Sequence, residues 1–331
     1  MTDSNHHGPF RAGDRVQLTG PKGRMNTITL VAGAAFGTHR GDLKHDEIIG
    51  KPEGSIVRNQ NGIEYLAFRP LMTDFVLSMP RGAAIIYPKD AAQIVVEGDI
   101  FPGARVVEAG VGSGGLSMYL LRAIGQDGQL DSFERRSEFA EIAQANVATE
   151  LGRKPTNWNV HLGDLQDELP KKVKSGSIDR VVLDMLAPWE CIEAVAEALA
   201  PGGLVIGYVA TVTQLSRFAE GIRESGHFAE PSAWESMVRG WHLQGLAVRP
   251  EHRMIGHTGF LITARRLAPG TILPEFKKRP SKTDFADEDI SVWNPDHLGE
   301  RKVGEKKLRK NLRNASAAAD SSAARNDETA D

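Results

Sequence analysis

The order of apolar runs, glycine turns and acidic residues predicts a doubly wound α/β fold, with a Rossmann-like sheet and a small N-terminal β-domain. Three observations carry this. Residues 105–116, RVVEAGVGSGGL, join a short β-branched run, Val106-Val107, to a glycine-rich turn; an amphipathic helical stretch follows over residues 116–124. Short apolar runs then recur, each closing on an acid: Glu108, Glu134, Asp164 and Asp184. Ahead of them, residues 10–75 carry brief alternating runs broken by glycine, the pattern of closely spaced antiparallel strands.

At 331 residues the chain has room for two domains, and 40% hydrophobic with 25% charged residues is ordinary for a soluble globular protein. It lacks an apolar run of membrane-spanning length, and its first ten residues are polar, unlike a secretory signal. Cys191 is the only cysteine, which excludes disulfide staples and cysteine-based zinc sites within one chain. Together these features lead us to expect a cytoplasmic protein with no membrane partner. A net charge of −3 gives no overall nucleic-acid signature, so any RNA binding must use a local basic surface.

In chain order, residues up to Pro9 are expected to be disordered. Residues 15–19, 27–31, 55–57 and 63–68 read as strands of the small β-domain, assigned to residues 1–75. Lys22, Arg24, Arg40, Lys44, Lys51, Arg58 and Arg69 are scattered through it, a candidate substrate platform. Residues 69–81 read as a linker, and 91–96 as a helix. The main domain, residues 76–282, continues with strands at 129–134, 159–165 and 178–184, and residues 199–208 end a helix and start a fifth strand. Helices are expected at 137–151, 190–199 and 213–225, and residues 233–267 fit two long final strands, antiparallel to each other. From Pro269 the composition shifts to alternating basic and acidic clusters. Residues 283–331 are expected to form a charged, mostly disordered tail with one short helix near 305–311; its basic clusters could touch RNA, although solubilisation is the simpler role.

In such a sheet ligands lie outside the carboxyl ends of the strands, so the four strand-end acids should converge on one crevice. Gly110, Gly112 and Gly114 allow a sharp turn and a close approach to backbone N–H groups. G-x-G-x-x-G also fits, through Gly110, Gly112 and Gly115, and leaves a dinucleotide open. Glu134 lies about 20 residues past the loop, where such folds place the carboxylate that binds a ribose diol. Glu108 would repel a pyrophosphate and attract the ammonium of an amino-acid ligand. Asp164 either accepts from an adenine amino group, with Leu165 flanking the ring, or caps a helix.

The stretch EAGVGSG resembles the S-adenosylmethionine loop of class I methyltransferases. Together with Tyr87-Pro88-Lys89-Asp90, Phe133-Glu134-Arg135-Arg136, Asp184-Met185-Leu186-Ala187-Pro188-Trp189 and Gly207-Tyr208-Val209, the chain resembles the bacterial tRNA (adenine-58-N1)-methyltransferase family over residues 10–280. That resemblance implies S-adenosylmethionine as cofactor, N1 of an adenine in the T-loop of tRNA as target, and a homotetramer. It places the catalytic acid on Asp184 and the active-site tyrosines on Tyr87 and Tyr208. The implied cofactor positions are Glu108, Gly110, Gly112, Ser113, Gly114, Gly115, Leu116, Glu134, Asp164, Leu165 and Asp184. The DMLAPW motif is not the N-P-P-[FY] of many amino-methylating enzymes, which points away from exocyclic N6.

Two other functions remain open at this point. An NAD-dependent oxidoreductase would use the same glycines and Glu134, yet the chain has no Tyr-x-x-x-Lys or histidine-centred set for hydride transfer. A non-catalytic tRNA-binding protein would have no need of four strand-end acids.

Overall fold

The computed structural model describes residues 7–274 and 303–327. These fall into two compact units. One comprises the chain up to Pro80 together with Gln144–Pro155 and the chain from Lys310; the other comprises Arg81–Ala143 and Thr156–Arg309.

The first unit is built on an antiparallel sheet, β1 (Arg15–Thr19), β2 (Met25–Thr29), β5 (Ser55–Arg58) and β6 (Glu64–Phe68), in the order β2-β1-β6-β5. The short pair β3 (Ala35–Phe36) and β4 (Leu43–Lys44) lies apart from it. Strand alternation sends Val16 and Leu18 of β1 inward to meet Phe10, Leu30, Leu43, Ile48, Val57 and Ala67. The expectation of disorder up to Pro9 needs correction: residues 1–6 lie outside the described residues, but the carbonyls of Gly8 and Pro9 accept from Arg69 at 3.1 and 3.2 Å. Arg69 also pairs with Asp14 and Glu53, and Arg58 pairs with Glu64. Arg69, with its side chain 11% exposed, is therefore spent within the unit, whereas Arg58, 67% exposed, pairs at the surface.

The segment expected to be a linker contains helix α1 (Met72–Ser78), with Met72, Phe75 and Val76 buried. A boundary at residue 75 would cut that helix. The proposed boundary at 282/283 lies outside the described residues. The tail expectation is overturned further along, where residues Glu305–Asp327 form a 23-residue helix, α8. Its residues Leu308, Asn311, Leu312, Ala315, Ala318, Ala319 and Ser322 are partly or wholly buried, one stripe at helical spacing. The Ser322 hydroxyl donates to the Thr149 carbonyl at 3.5 Å.

The second unit is a seven-stranded sheet. It contains β7 (Arg105–Ala109), β8 (Gln129–Glu134), β9 (Trp158–Leu162), β10 (Ile178–Asp184), β11 (Leu199–Val209), β12 (Ser232–Trp234) and β15 (Phe260–Arg265), in the order β12-β15-β11-β10-β7-β8-β9. Strands β9-β8-β7-β10-β11 are parallel, whereas β15 runs antiparallel to both β11 and β12. The expected pair of long final strands is instead a six-residue strand, β15, flanked by the short edge strand β12, and a separate hairpin of β13 (Trp241–Gln244) and β14 (Ala247–Pro250) turning at Gly245, whose φ is +54°.

The parallel strands bury both faces, which is why they read as continuous apolar runs. Val107, Ala109, Val181, Leu183 and Val205 pack on one face with Leu165 and Leu169 of α5 (Leu165–Lys172), Ile192 and Val195 of α6 (Ile192–Ala198), and Phe218 and Ile222 of α7 (Val212–Ser225). The intervening residues, Glu108, Val182, Ile206 and Tyr208, point to the opposite face. There α2 (Pro88–Glu97) packs against α3 (Gly115–Ile124). Helix α4 (Ser137–Leu151) follows β8. The chain steps outward from β7 to β8 and β9, then returns to β10 on the other side of β7, so the topological switch point lies between β7 and β10.

Candidate active site

Glycine builds the site at this switch point. Gly110, Gly112 and Gly114 have φ of +86°, +58° and +81°, conformations that cost other residues energy. At Gly110 the constraint is also steric, since a Cβ would lie 1.8 Å from the Asp184 carbonyl oxygen. The loop after β7 can therefore pass against the end of β10, and α3 starts directly at Gly115.

Three of the four strand-end acids meet here. Glu108 is 1% exposed; its Oε2 accepts from the hydroxyls of Ser117 and Ser132, both at 2.7 Å, while Oε1 is buried with no partner. The Ser132 hydroxyl in turn accepts from the Trp158 indole at 2.8 Å. Glu134 uses Oε2 to accept from the Gly112 N–H at 3.1 Å, and Oε1 to accept from the Arg136 backbone N–H and guanidinium at 3.2 and 3.0 Å. Asp184 closes β10 directly opposite Tyr208 in the parallel register. Burial, followed by repulsion from Glu108 and Glu134, pushes the Asp184 carboxyl up to about 7. Burial also pushes Glu108 up to about 7, against the opposing effect of its two serine donors.

Other residues read as site members are placed differently. Asp164 occupies the N-cap position of α5 without a side-chain cap bond, and its half-exposed carboxylate pairs with Arg135 at 3.3 Å. Leu165 is 3% exposed within the apolar core, so it is no wall of an open crevice. The Ser113 hydroxyl accepts from the N–H groups of Gly82 and Ala83 at 3.2 and 3.4 Å, tying that segment to the glycine loop. Gly115 and Leu116 are buried in the first turn of α3. Glu108 is held between Ser117 of α3 and Ser132 of β8.

Tyr87, half-buried, immediately precedes α2, where Pro88 takes the first helical position. Tyr208 is 8% exposed and its hydroxyl donates to Asp90 at 3.5 Å; burial is the main cause holding it well above the ordinary tyrosine range. Asp90, not singled out from the sequence as a site residue, is 1% exposed and anchors a dense network. It accepts from Lys89 at 2.6 Å, the Thr258 hydroxyl at 2.6 Å and the Ser236 hydroxyl at 3.1 Å. Lys89 also donates to the Ser236 carbonyl at 2.8 Å. His257 faces two acceptors, the Ala210 carbonyl at 2.9 Å and Glu235 at 3.2 Å; these raise its basicity, since only the imidazolium donates from both nitrogens. Both feet of the segment carrying the β13–β14 hairpin are thus pinned beside Tyr208. The sequence signal was the YPKD motif itself, but its partners lie 146 and 168 positions away.

The loop after Asp184 is held from α7. Thr211 and Gln214 form a reciprocal capping box, and the Gln214 amide donates to the Leu186 carbonyl at 2.9 Å. Arg217 lies 4.0 Å over the Trp189 ring. A hollow lined by Gln166, Glu193, Glu197, His227 and Arg266 opens at the amino-terminal ends of β10 and β11, the wrong end of a parallel sheet for a ligand of this fold.

Residues 8–57 match the TrmI-like N-terminal family, and residues 68–245 match the family described as the tRNA methyltransferase complex GCD14 subunit. The chain belongs to the tRNA (adenine-58-N1)-methyltransferase family. It is 33% identical over 259 residues to tRNA (adenine(58)-N(1))-methyltransferase TrmI of Thermus thermophilus, covering 78% of this chain and 97% of that one. It is 31% identical to the tRNA (adenine(57)-N(1)/adenine(58)-N(1))-methyltransferase of Methanocaldococcus jannaschii, covering 70% and 87%. Among solved structures, the tRNA (m1A58) methyltransferase TrmI of Aquifex aeolicus superposes with a TM-score of 0.69 at 28% identity, covering 79% of this chain and all of that one. A SAM-dependent O-methyltransferase from Thermotoga maritima gives 0.73 at 28% identity, covering 80% and 96%. The fold is that of S-adenosylmethionine-dependent methyltransferases, and the residues present suit that cofactor. An orphaned carboxylate oxygen on Glu108, and two acids raised chiefly by burial and further by repulsion from neighbouring carboxylates, favour a cationic ligand over a pyrophosphate.

Proposed function

We propose that this chain transfers a methyl group from S-adenosylmethionine to N1 of adenine 58 in the T-loop of tRNA. The observation that carries this reading is the convergence of Glu108, Glu134 and Asp184 at the switch point, where the acids repel one another. A dinucleotide's phosphates would add to that repulsion, which speaks against the oxidoreductase. A binding protein without catalysis has no use for so costly an arrangement.

When bound, S-adenosylmethionine would supply an electrophilic methyl group on its sulfonium, with the neutral thioether S-adenosylhomocysteine as the leaving group. Gly110, Gly112 and Gly114 admit the ligand to the backbone of the loop, and the remaining acceptor capacity of Glu134 suits the ribose hydroxyls. Adenine N1 is hidden by pairing in folded tRNA, so the base must be drawn out at a cost of a few kcal/mol. Asp184 then accepts from the base's N6 amino group, orients N1, and stabilises the positive charge that grows on the ring. It need not remove a proton. Tyr208, held protonated by burial and braced by Asp90, contributes its ring and a hydroxyl donor. Tyr87 supplies an aromatic ring that would stack on the splayed base.

The β13–β14 segment presents Met237, Val238, Trp241, Leu243, Leu246, Val248, Met254 and Ile255, all exposed. Such a run on one protruding element is the mark of an interface, and it supports a homo-oligomer, by resemblance a tetramer. A tRNA substrate supports a cytoplasmic location; among the described residues no helix is long and apolar enough to cross a membrane. The decisive experiment incubates the purified protein with unmodified tRNA and S-adenosylmethionine, then maps methylation by mass spectrometry. A single 1-methyladenosine at position 58 is expected; methylation of position 57 as well, or of a different atom, would revise the substrate. Binding of NAD in place of S-adenosylhomocysteine would overturn the reading.

A further inference from the structure

We infer that α8 is an additional tRNA-binding surface whose exposed face grips the phosphate backbone. This rests on the proposed tRNA substrate. The helix lies outside both matched family regions, which end at Gly245. It docks one stripe, Leu308, Leu312, Ala315 and Ser322, inward. The opposite side carries Lys306, Lys307, Arg309, Lys310 and Arg313, all exposed. Arg309 pairs with Glu305 at 3.1 Å; the other four have no ion-pair partner among the described residues.

The needs of the helix do not explain this placement. Cations favour a helix C-terminus, yet these occupy the first three turns, where the macrodipole is positive. Lys306 and Lys310, and Arg309 and Arg313, are like charges four residues apart, and they repel. A solubilising segment in a chain of net charge −3 gains nothing from concentrating one sign in this way. A row of cations whose field adds to the positive helix end instead suits a polyanion. Spaced along about 10 Å of axis, they match a run of phosphates rather than one small anion. Lysine predominates, supplying point charges without the planar fork that reads base edges, so the contact adds affinity and not sequence choice.

The test compares wild-type protein with K306Q/K307Q/K310Q/R313Q and with K306R/K307R/K310R, which retains every charge. Affinity for unmodified tRNA is measured from 50 to 200 mM salt, with KM and kcat for methylation alongside. The glutamine variant should bind tRNA at least tenfold more weakly at low salt. Its slope of log affinity against log salt should shrink by about 3, at roughly 0.7–0.9 for each of four lost phosphate contacts. The arginine variant should match wild type. kcat and S-adenosylhomocysteine affinity should stay put, and an unchanged melting temperature verifies that the helix persists. Equal affinity and slope for the glutamine and wild-type proteins would overturn the inference. Wild-type protein that leaves tRNA unmethylated would instead overturn the substrate reading, and the binding comparison would still decide the role of α8.

Discussion

Asp184 illustrates how much a single position carries. It ends a buried strand, faces two other acids, and has its carboxyl pushed up to about 7. If its charge stabilises the forming cation, Asp184→Asn should preserve the fold and lower single-turnover methyl transfer by about 10²–10³, the scale of one transition-state electrostatic contact. A rate within about threefold of wild type would move that duty to Tyr87 or Tyr208. Glu108 gives a pH signature. Its carboxyl titrates near 7 in the folded protein against 4.5 ordinarily, so between those values the native state holds more protons than the unfolded chain. Stability of the unliganded protein should therefore fall as pH rises from about 4.5 to 7, by roughly 3 kcal/mol from this group, and then level off. Glu108→Gln should remove that component while weakening S-adenosylmethionine binding at least tenfold. Parallel melting curves of the two proteins across pH 5–8 would refute this assignment. Asp90 could not be valued from its own neighbourhood in sequence, because its partners Ser236 and Thr258 arrive from beyond β12.

Among the elements, those whose pattern is local were legible and those fixed by distant partners were not. Strands β7 and β10 were evident because β-branched runs end at glycine or an acid, β8 because a short run with Leu130 and Phe133 ends at Glu134, and α4 because its apolar spacing is unbroken. Helix α1 was hidden between prolines in a segment of only 13 residues that reads as connection. Of helix α8 only residues 305–311 were read as helix, because the alanine and serine beyond them give little hydrophobic contrast, although alanine favours helix strongly. Its inward stripe nevertheless has consequences. Ending the chain after residue 302 would expose the surface covering Ala315 and Ser322, and would remove the partly buried Leu308 and Leu312. Loss of about 2–3 kcal/mol of burial should lower the melting temperature by about 5 °C or more. Affinity for S-adenosylhomocysteine, bound by other elements, should not change. A melting temperature equal to that of the full chain would return this segment to the role of an independent tail.

At the scale of the whole molecule the problem is charge. A chain of net charge −3 whose site gathers three carboxylates must still hold a polyanion. Assembly offers one solution, because basic surfaces from several copies can then face one tRNA. The β13–β14 hairpin is where a second copy is expected. Leu243 and Leu246 are 73% and 105% exposed at its tip, beside Trp241 at 55%, and nothing in a monomer offsets the cost of wetting them. Acidic replacements there, Leu243→Glu with Leu246→Glu, should leave each subunit folded, since neither side chain contributes to a core. They should shift the species seen by light scattering from oligomer towards monomer. Because the feet of the same segment brace Tyr208 through Ser236, Thr258 and Asp90, separation of subunits should also lower turnover. Cofactor affinity, set at the glycine loop, should change far less. A variant that keeps the wild-type mass in solution would place the interface elsewhere; one that becomes monomeric with full turnover would uncouple assembly from the active site.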